Sequence, residues 1–125
     1  MDVSINLFIN FILNLRILYT NLKNPIKIRF SMKNLLWYLI AGTKGGETRG
    51  KILDLINKNP SNANKIAETL NLDYKTVRHH LKVLEKNNII TSINKGNYGA
   101  VYFLSEIMKP NLPIFSEIWD KFGKK

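Results

Sequence analysis

The sequence predicts a mostly helical α+β domain, in which three helices precede a β-hairpin and further helices flank this core. Two observations predict this fold class. Apolar residues recur at helical spacing from about residue 46 to residue 88, after which two short runs are β-branched and aromatic. A chain of 125 residues with 45% apolar residues is long enough for one globular domain with a single modest core.

Positive charge is the strongest bias in the composition. Nineteen Lys and Arg against nine Asp and Glu give a net charge of +10, which favours a polyanionic partner or an anionic membrane surface. AT-rich coding DNA is an alternative source of this charge, because it also enriches Ile, Asn and Lys. The absence of cysteine excludes disulfides and thiolate chemistry and fits a reducing cytoplasm.

Residues 1–31 form an apolar to amphipathic extension. Between Ile5 and Leu22 asparagines recur every four residues along one side of a helix, and Arg16 interrupts the apolar run. A membrane span needs about 20 mostly apolar residues, and a central arginine costs roughly 2.5–3.5 kcal/mol on insertion. An amphipathic helix packed on the domain or on a partner therefore fits better than a span. A third interpretation is that Met32 is the natural start and that the preceding residues are translated upstream DNA.

Residues 32–45 contain the apolar run LLWYLI, which the glycine-rich GTKGG ends. The winged segment is expected over residues 46–106. Its first helix stops at Pro60, since proline forbids continuation. Ser61 and Asn62 are cap candidates for the second helix, and Asp73 caps the third, which runs to about Asn88.

The hairpin is predicted from Ile89–Ile93 and Ala100–Ser105. Between them lies NKGNYG, in which Gly96, Asn97 and Gly99 supply positive-φ positions. Three helices followed by a hairpin, with two helices joined by a three-residue turn, is the element order of a winged helix-turn-helix.

The segment NANKIAETLNLDYKTVRHHLKVLEKNNII resembles the ArsR-like winged-helix transcriptional regulators, in particular an archaeal group with an LLWYLIAGTKGG-type segment. The resemblance covers about residues 32–106 and is specific over Asn62–Ile90. Helix-turn-helix proteins usually have glycine where Asn71 stands, but asparagine also tolerates a left-handed conformation. The resemblance implies a dimeric DNA-binding repressor or activator.

The third helix divides into two faces. Val77, Leu81 and Leu84 share the inner face, with His80 at its edge as a packing residue. The outer face contains no acid, whereas a merely solvated face normally mixes signs. We expect it to enter the major groove of double-stranded DNA, with Arg78 on a guanine and lysines on flanking phosphates. The expected contacts of this helix are Tyr74, Lys75, Thr76, Arg78, His79, Lys82 and Lys86.

Two further contacts are expected outside this helix. The wing tip, with Lys95, Asn97 and Tyr98, suits an adjacent minor groove or phosphates, although a plain solvated turn is an equal alternative. Arg49 and Lys51 near the start of the first helix could bind phosphate with help from the helix N-terminus.

The sequence argues against a metal, a cofactor or catalysis. Histidines at positions i and i+1 point about 100° apart and cannot chelate one ion. Glu117 and Asp120 share a face but have no histidine partner. There is no P-loop and no nucleophile–base arrangement near His79.

The two flanking apolar segments, residues 32–45 and 107–125, predict a homodimer, because a winged domain of this size cannot easily bury both. Pairing across a two-fold axis would place two recognition helices about one DNA turn apart. A monomer with the segments packed on each other is the alternative. A protein-interaction module, perhaps associated with a membrane through residues 1–22, is the second functional class. The predicted interface is Leu35, Leu36, Trp37, Leu39, Ile40, Ile114, Phe115, Ile118, Trp119 and Phe122.

Overall fold

A computed structural model describes residues 9, 11–13, 32–94 and 99–123. The chain divides into two compact units, Thr48–Leu112 on the one hand and Met1–Glu47 with Pro113–Lys125 on the other. Most of the predicted N-terminal helix and the tip of the wing lie outside the described residues. No helix in the described ranges is long and apolar enough to cross a membrane.

The unit Thr48–Leu112 has the element order that the sequence predicts, three helices and then a hairpin, and the fold is a winged helix-turn-helix. The third helix is two residues shorter than predicted, and each strand of the hairpin is slightly shorter. The elements of this unit are α1 (Gly46–Lys58, which starts in the other unit), β1 (Ser61–Asn62), α2 (Ala63–Leu70), α3 (Tyr74–Lys86), β2 (Ile90–Ile93), β3 (Val101–Leu104) and a 3₁₀ turn at Lys109–Asn111. Helix α4 (Leu112–Ile118) follows and belongs almost entirely to the other unit.

The sheet has three antiparallel strands in the order β1-β3-β2. The sequence predicts only the two wing strands. Ser61 and Asn62 add the third, because their backbone pairs with β3 in the register Ser61↔Tyr102 and Asn62↔Val101. Ser61 is therefore a strand residue, and the helix cap is formed by Asn62 alone.

The core of this unit is built from the apolar positions that recur at helical spacing. Nine large apolar side chains in it are each at most 1% exposed, and full burial of such a side chain contributes about 1.5–3 kcal/mol to folding. These residues come from all three helices, from the start of the wing and from the segment after it: Ile52, Leu53, Ile56, Ile66, Val77, Leu81, Leu84, Ile89 and Met108.

In the second unit, residues 32–36 are helical and continue into a π-helical turn, Trp37–Ala41. Gly46 starts α1 close to this turn, where a Cβ atom would collide with the carbonyl group of Ile40. Helix α4 likewise continues into a π-helical turn, Trp119–Gly123. The two turns meet edge to face through Trp37 and Phe122, whose ring centroids are 5.3 Å apart.

This packing alters the expected dimer interface. Six of its ten predicted residues are already buried within the single chain, so the prediction that all ten form a surface for a second copy is not met. The two apolar segments contact each other instead, which is the arrangement of the monomeric alternative. The buried six are Leu36, Leu39, Ile40, Phe115, Ile118 and Trp119. The four that retain exposed area are Leu35, Trp37, Ile114 and Phe122.

Candidate nucleic-acid interface

The turn between α2 and α3 is held by hydrogen bonds at both helix ends. Asn71 ends α2 in the left-handed conformation (φ 54°, ψ 51°), as its identity predicts, and the next amide donates to the carbonyl of Ala67 over 2.9 Å. Asp73 caps α3, because its carboxylate accepts from the backbone N–H of Thr76 over 3.0 Å. The start of α3 is therefore fixed relative to α2.

The far end of α3 is closed by an asparagine that the sequence reading missed. Asn88 has a φ of 61°, and its N–H donates to Glu85, while the N–H of Ile89 donates to Leu84. These two bonds form a Schellman motif, which usually contains glycine at the left-handed position. The pair Asn87-Asn88 between a helical and an extended pattern was the available signal.

The inner face of α3 is buried as the sequence predicts. Val77 and Leu84 have no exposed area, Leu81 is 1% exposed, and His80 is 8% exposed. On α2, Ile66 and Ala67 are also buried. The apolar stripe thus determines which side of α3 faces away from the core.

The outer face of α3 is cationic over its whole length. Asp73 lies before the helix as its cap, and Glu85 is only partly exposed. Within the described part of the chain, no carboxylate pairs with Lys75, Lys82 or Lys86. The exposed residues of α3 are Tyr74, Lys75, Thr76, Arg78, His79, Lys82 and Lys86, the same seven that the sequence proposes as contacts.

Behind this face, Nη1 of Arg49 donates to Nδ1 of His80 over 3.3 Å. Burial, the positive charge of Arg49 and the neighbouring His79 lower the pKa of His80 from its ordinary value of 6.5. Arg49 is only 6% exposed, so its expected role as a phosphate contact does not fit the structure, because its guanidinium is directed into the protein. Lys51 is exposed on α1.

The two histidine rings lie edge to face with their centroids 5.3 Å apart. Among the described residues, no group of three or more His, Cys, Asp or Glu side chains could hold a metal ion.

Two side-chain hydrogen bonds join α3 to the wing, and the sequence reading missed both. Nη1 of Arg78 donates to the phenol oxygen of Tyr102 over 2.9 Å, and the hydroxyl of Ser92 donates to Glu85 over 2.8 Å. The alternation of the strand AVYFLS was the signal that Tyr102 faces inward. Its side chain is 5% exposed.

The described part of the wing stops at Asn94 and resumes at Gly99. Asn94 has a φ of 59° and Gly99 a φ of 93°, so a left-handed residue begins and ends the turn. Asn94 and Gly99 are exposed. The candidate contacts Lys95, Asn97 and Tyr98 lie outside the described residues.

Residues 46–92 match the family model of the bacterial regulatory proteins of the arsR family. This stretch resembles the helix-turn-helix of that family. It is 40% identical over 63 residues to an HTH-type transcriptional regulator of Methanocaldococcus jannaschii, an alignment that covers 50% of this chain and 16% of that protein. The transcriptional repressor SdpR of Bacillus subtilis is 37% identical over 51 residues, covering 41% of this chain and 57% of SdpR. The chain thus spans less than two thirds of either relative.

Solved structures share the fold. ZitR of Lactococcus lactis in complex with DNA superposes with a TM-score of 0.51 at 25% identity, covering 66% of this chain and 58% of ZitR. Reduced HlyU of Vibrio cholerae superposes with a TM-score of 0.54 at 16% identity, covering 77% of this chain and 95% of HlyU. The ArsR-like match ends at Ser92, so it includes the exposed face of α3 and excludes Tyr102.

Proposed function

We propose that this chain is a transcriptional regulator that binds double-stranded DNA sequence-specifically, with α3 in the major groove, and that it acts as a homodimer. The similarity to named regulators and to a DNA-bound ZitR supports this proposal. The single observation that carries it is the outer face of α3, whose seven exposed residues include four cations and no acid.

The residues of this face divide by chemistry. Arg78 can contact the O6 and N7 atoms of a guanine with two N–H groups, and Thr76 and His79 can donate to or accept from base edges. Lys82 and Lys86 lie one and two turns further along the helix and suit phosphates, since an ammonium is a point charge without directional selectivity. Tyr74 and Lys75 lie where the helix enters the groove.

The wing supplies the second contact in this proposal. In the sequence, Lys95, Asn97 and Tyr98 lie between strands β2 and β3, and side chains of these types suit phosphates or an adjacent minor groove. Lys51 on the exposed side of α1 is a further phosphate contact. We leave Arg49 out of the set, because its guanidinium is buried against His80.

A homodimer would place two copies of α3 in successive major grooves, about 34 Å apart. The surface proposed for pairing is the part of the apolar segments that the single chain leaves exposed: Leu35, Trp37, Ile114 and Phe122. Phe122 is the most exposed of the large apolar side chains among them, at 50%.

A mobility-shift titration against random duplex at two salt concentrations tests the proposal. Lys51, Lys82 and Lys86 from two copies give six phosphate contacts, so binding should weaken about 1,000-fold between about 50 mM and about 200 mM salt. Selection of bound sequences from a random duplex pool should then return a two-fold symmetric site. A shift that does not respond to salt, or no shift at low salt, would contradict the proposal.

A further inference from the structure

We propose that Tyr102, on the wing strand β3, is a positioning residue that determines how selectively Arg78 reads its base. This inference rests on the proposed function of α3. It adds a residue that lies outside the recognition helix and outside the exposed surface.

Tyr102 and Arg78 are joined by a hydrogen bond but differ in their exposure to solvent. The phenol oxygen of Tyr102 accepts from Nη1 of Arg78 over 2.9 Å, although the residues are 24 positions apart in the sequence. Tyr102 is 5% exposed, whereas Arg78 is exposed. The phenol is therefore the fixed partner, and the guanidinium remains accessible to a ligand.

The position of Tyr102 is fixed from both sides. It lies in the central strand, opposite Ser61 of β1 and opposite Ser92 of β2. Because the backbone around Tyr102 pairs with two neighbouring strands and its side chain is buried, the phenol is less free to move than the exposed side chain of Arg78. The hydrogen bond therefore restrains Arg78 more than it restrains Tyr102.

This restraint has a consequence for base reading. A guanidinium has five N–H donors in a rigid plane, so one bond to Tyr102 leaves donors for a guanine while fixing the orientation of the plane. A free arginine side chain has many rotamers and loses much of this conformational entropy when it is ordered. If Arg78 is ordered before DNA binds, less entropy is lost when it contacts a correctly placed guanine. A base in another position cannot form well-aligned hydrogen bonds with the restrained guanidinium.

The chain provides a matched control in the same row of the sheet. Ser92 lies directly opposite Tyr102, and its hydroxyl donates to Glu85 over 2.8 Å. Glu85 is seven residues after Arg78, two helical turns along the same side of α3. Loss of either hydroxyl removes one bond between the wing and α3, but only Tyr102 contacts a residue proposed to read a base.

The experiment compares wild type, Tyr102→Phe and Ser92→Ala on the selected site and on duplexes that carry single base-pair changes. The position where Arg78→Ala abolishes preference identifies the base pair in question. At that base pair, Tyr102→Phe should lower the discrimination ratio about 3-fold to 10-fold, which is the value of one ordinary hydrogen bond. Affinity for random duplex should be unchanged, and Ser92→Ala should keep wild-type discrimination.

Two further measurements exclude a merely structural effect. Thermal unfolding of each variant shows whether the fold is kept, and Tyr102→Phe in the Arg78→Ala background should change discrimination no further. Equal loss from Ser92→Ala, or wild-type discrimination in Tyr102→Phe, would overturn this inference while leaving the proposed function in place. Failure of wild type to prefer any sequence would overturn both.

Discussion

The two adjacent histidines of α3 have different surroundings. His79 is exposed on the outer face, whereas His80 is buried beside Arg49. Because a guanidinium can only donate, Nδ1 of His80 must accept, and its proton is on Nε2. A protonated imidazole could not accept this bond, so the neutral form of His80 belongs to the folded state.

This arrangement predicts that the free energy of unfolding decreases at acid pH. A histidine whose pKa is lowered by folding binds a proton more tightly in the unfolded chain. The stabilisation that comes from neutral His80 is fully present above pH 6.5, the ordinary pKa of histidine. It is lost as the pH falls from there to the lower pKa that His80 has in the folded state. Thermal unfolding between about pH 8 and about pH 5.5 measures the decline. His80→Gln should flatten it, and His79→Gln should retain most of it, because His79 is the smallest of the three causes that lower the pKa of His80. An unchanged slope in His80→Gln would contradict the assignment.

Substitutions of Arg78 and Lys82 should affect DNA binding differently, because Arg78 is proposed to contact a base and Lys82 a phosphate. Arg78→Ala should cost about 1–3 kcal/mol on the selected site and relax preference at one base pair. Lys82→Ala should weaken binding to all sequences alike and reduce the salt slope by about two units, because each copy of the proposed dimer loses one phosphate contact. Titrations at several salt concentrations distinguish the two effects, and unchanged affinity of Arg78→Ala for the selected site would refute its role.

At the level of the elements, α3 is positioned by its ends. Asn71 and Asn88 adopt the left-handed conformation at the two ends, and Asp73 caps the first turn. Loss of the Asp73 carboxylate leaves the N–H of Thr76 without its acceptor. Asp73→Ala should therefore lower the free energy of unfolding by about 1 kcal/mol.

Urea unfolding measures this change. Asp73→Asn is the matched control, because it removes the charge and keeps an oxygen acceptor, so it should retain most of the stability. If Asp73→Asn lost as much as Asp73→Ala, the charge rather than the cap bond would be responsible.

Local patterns in the sequence predict most of these elements and their caps. Helical periodicity identifies the buried and exposed faces of α3, and Asn71 and Asp73 mark the turn. Contacts between distant residues have no such signal: Arg49 and His80 are 31 positions apart, and Arg78 and Tyr102 are 24 apart. The strand at Ser61-Asn62 was missed for the same reason, because two residues have no periodicity and only their pairing with β3 makes them a strand.

For the whole molecule, the net charge and the exposed apolar area are the two properties that determine which partners can bind. The net charge of +10 favours DNA, and in our proposal Phe122 belongs to the surface that pairs with a second copy. The two flanking apolar segments contact each other within one chain, so they leave less apolar area for a second copy than the sequence predicts. Periodicity identifies apolar segments but does not show which surface each one contacts. The remaining area predicts a dimer that dissociates more readily than one built on all ten residues.

Sedimentation velocity tests this expectation. The wild-type chain should sediment at twice its monomer mass of 14.5 kDa at high concentration. Phe122→Ser should shift the equilibrium to monomer, because it removes the most exposed apolar side chain of the proposed interface. Ile107→Ser is the control, since Ile107 is similarly exposed, at 46% against 50%, but lies outside that interface. Equal dissociation in both variants, or in neither, would refute the proposed surface.

The central place of β3 also determines how the sheet opens. Strand β3 is bonded on both edges, whereas β1 and β2, among the strands that the structure describes, each pair on one edge. Local opening therefore begins at an outer strand, and the two residues of β1 have the fewest bonds to break. The amides of β3 exchange with solvent only after a neighbour has separated. Tyr102 thus belongs to the part of the sheet that opens last, and its contact with Arg78 persists in forms that have already lost β1.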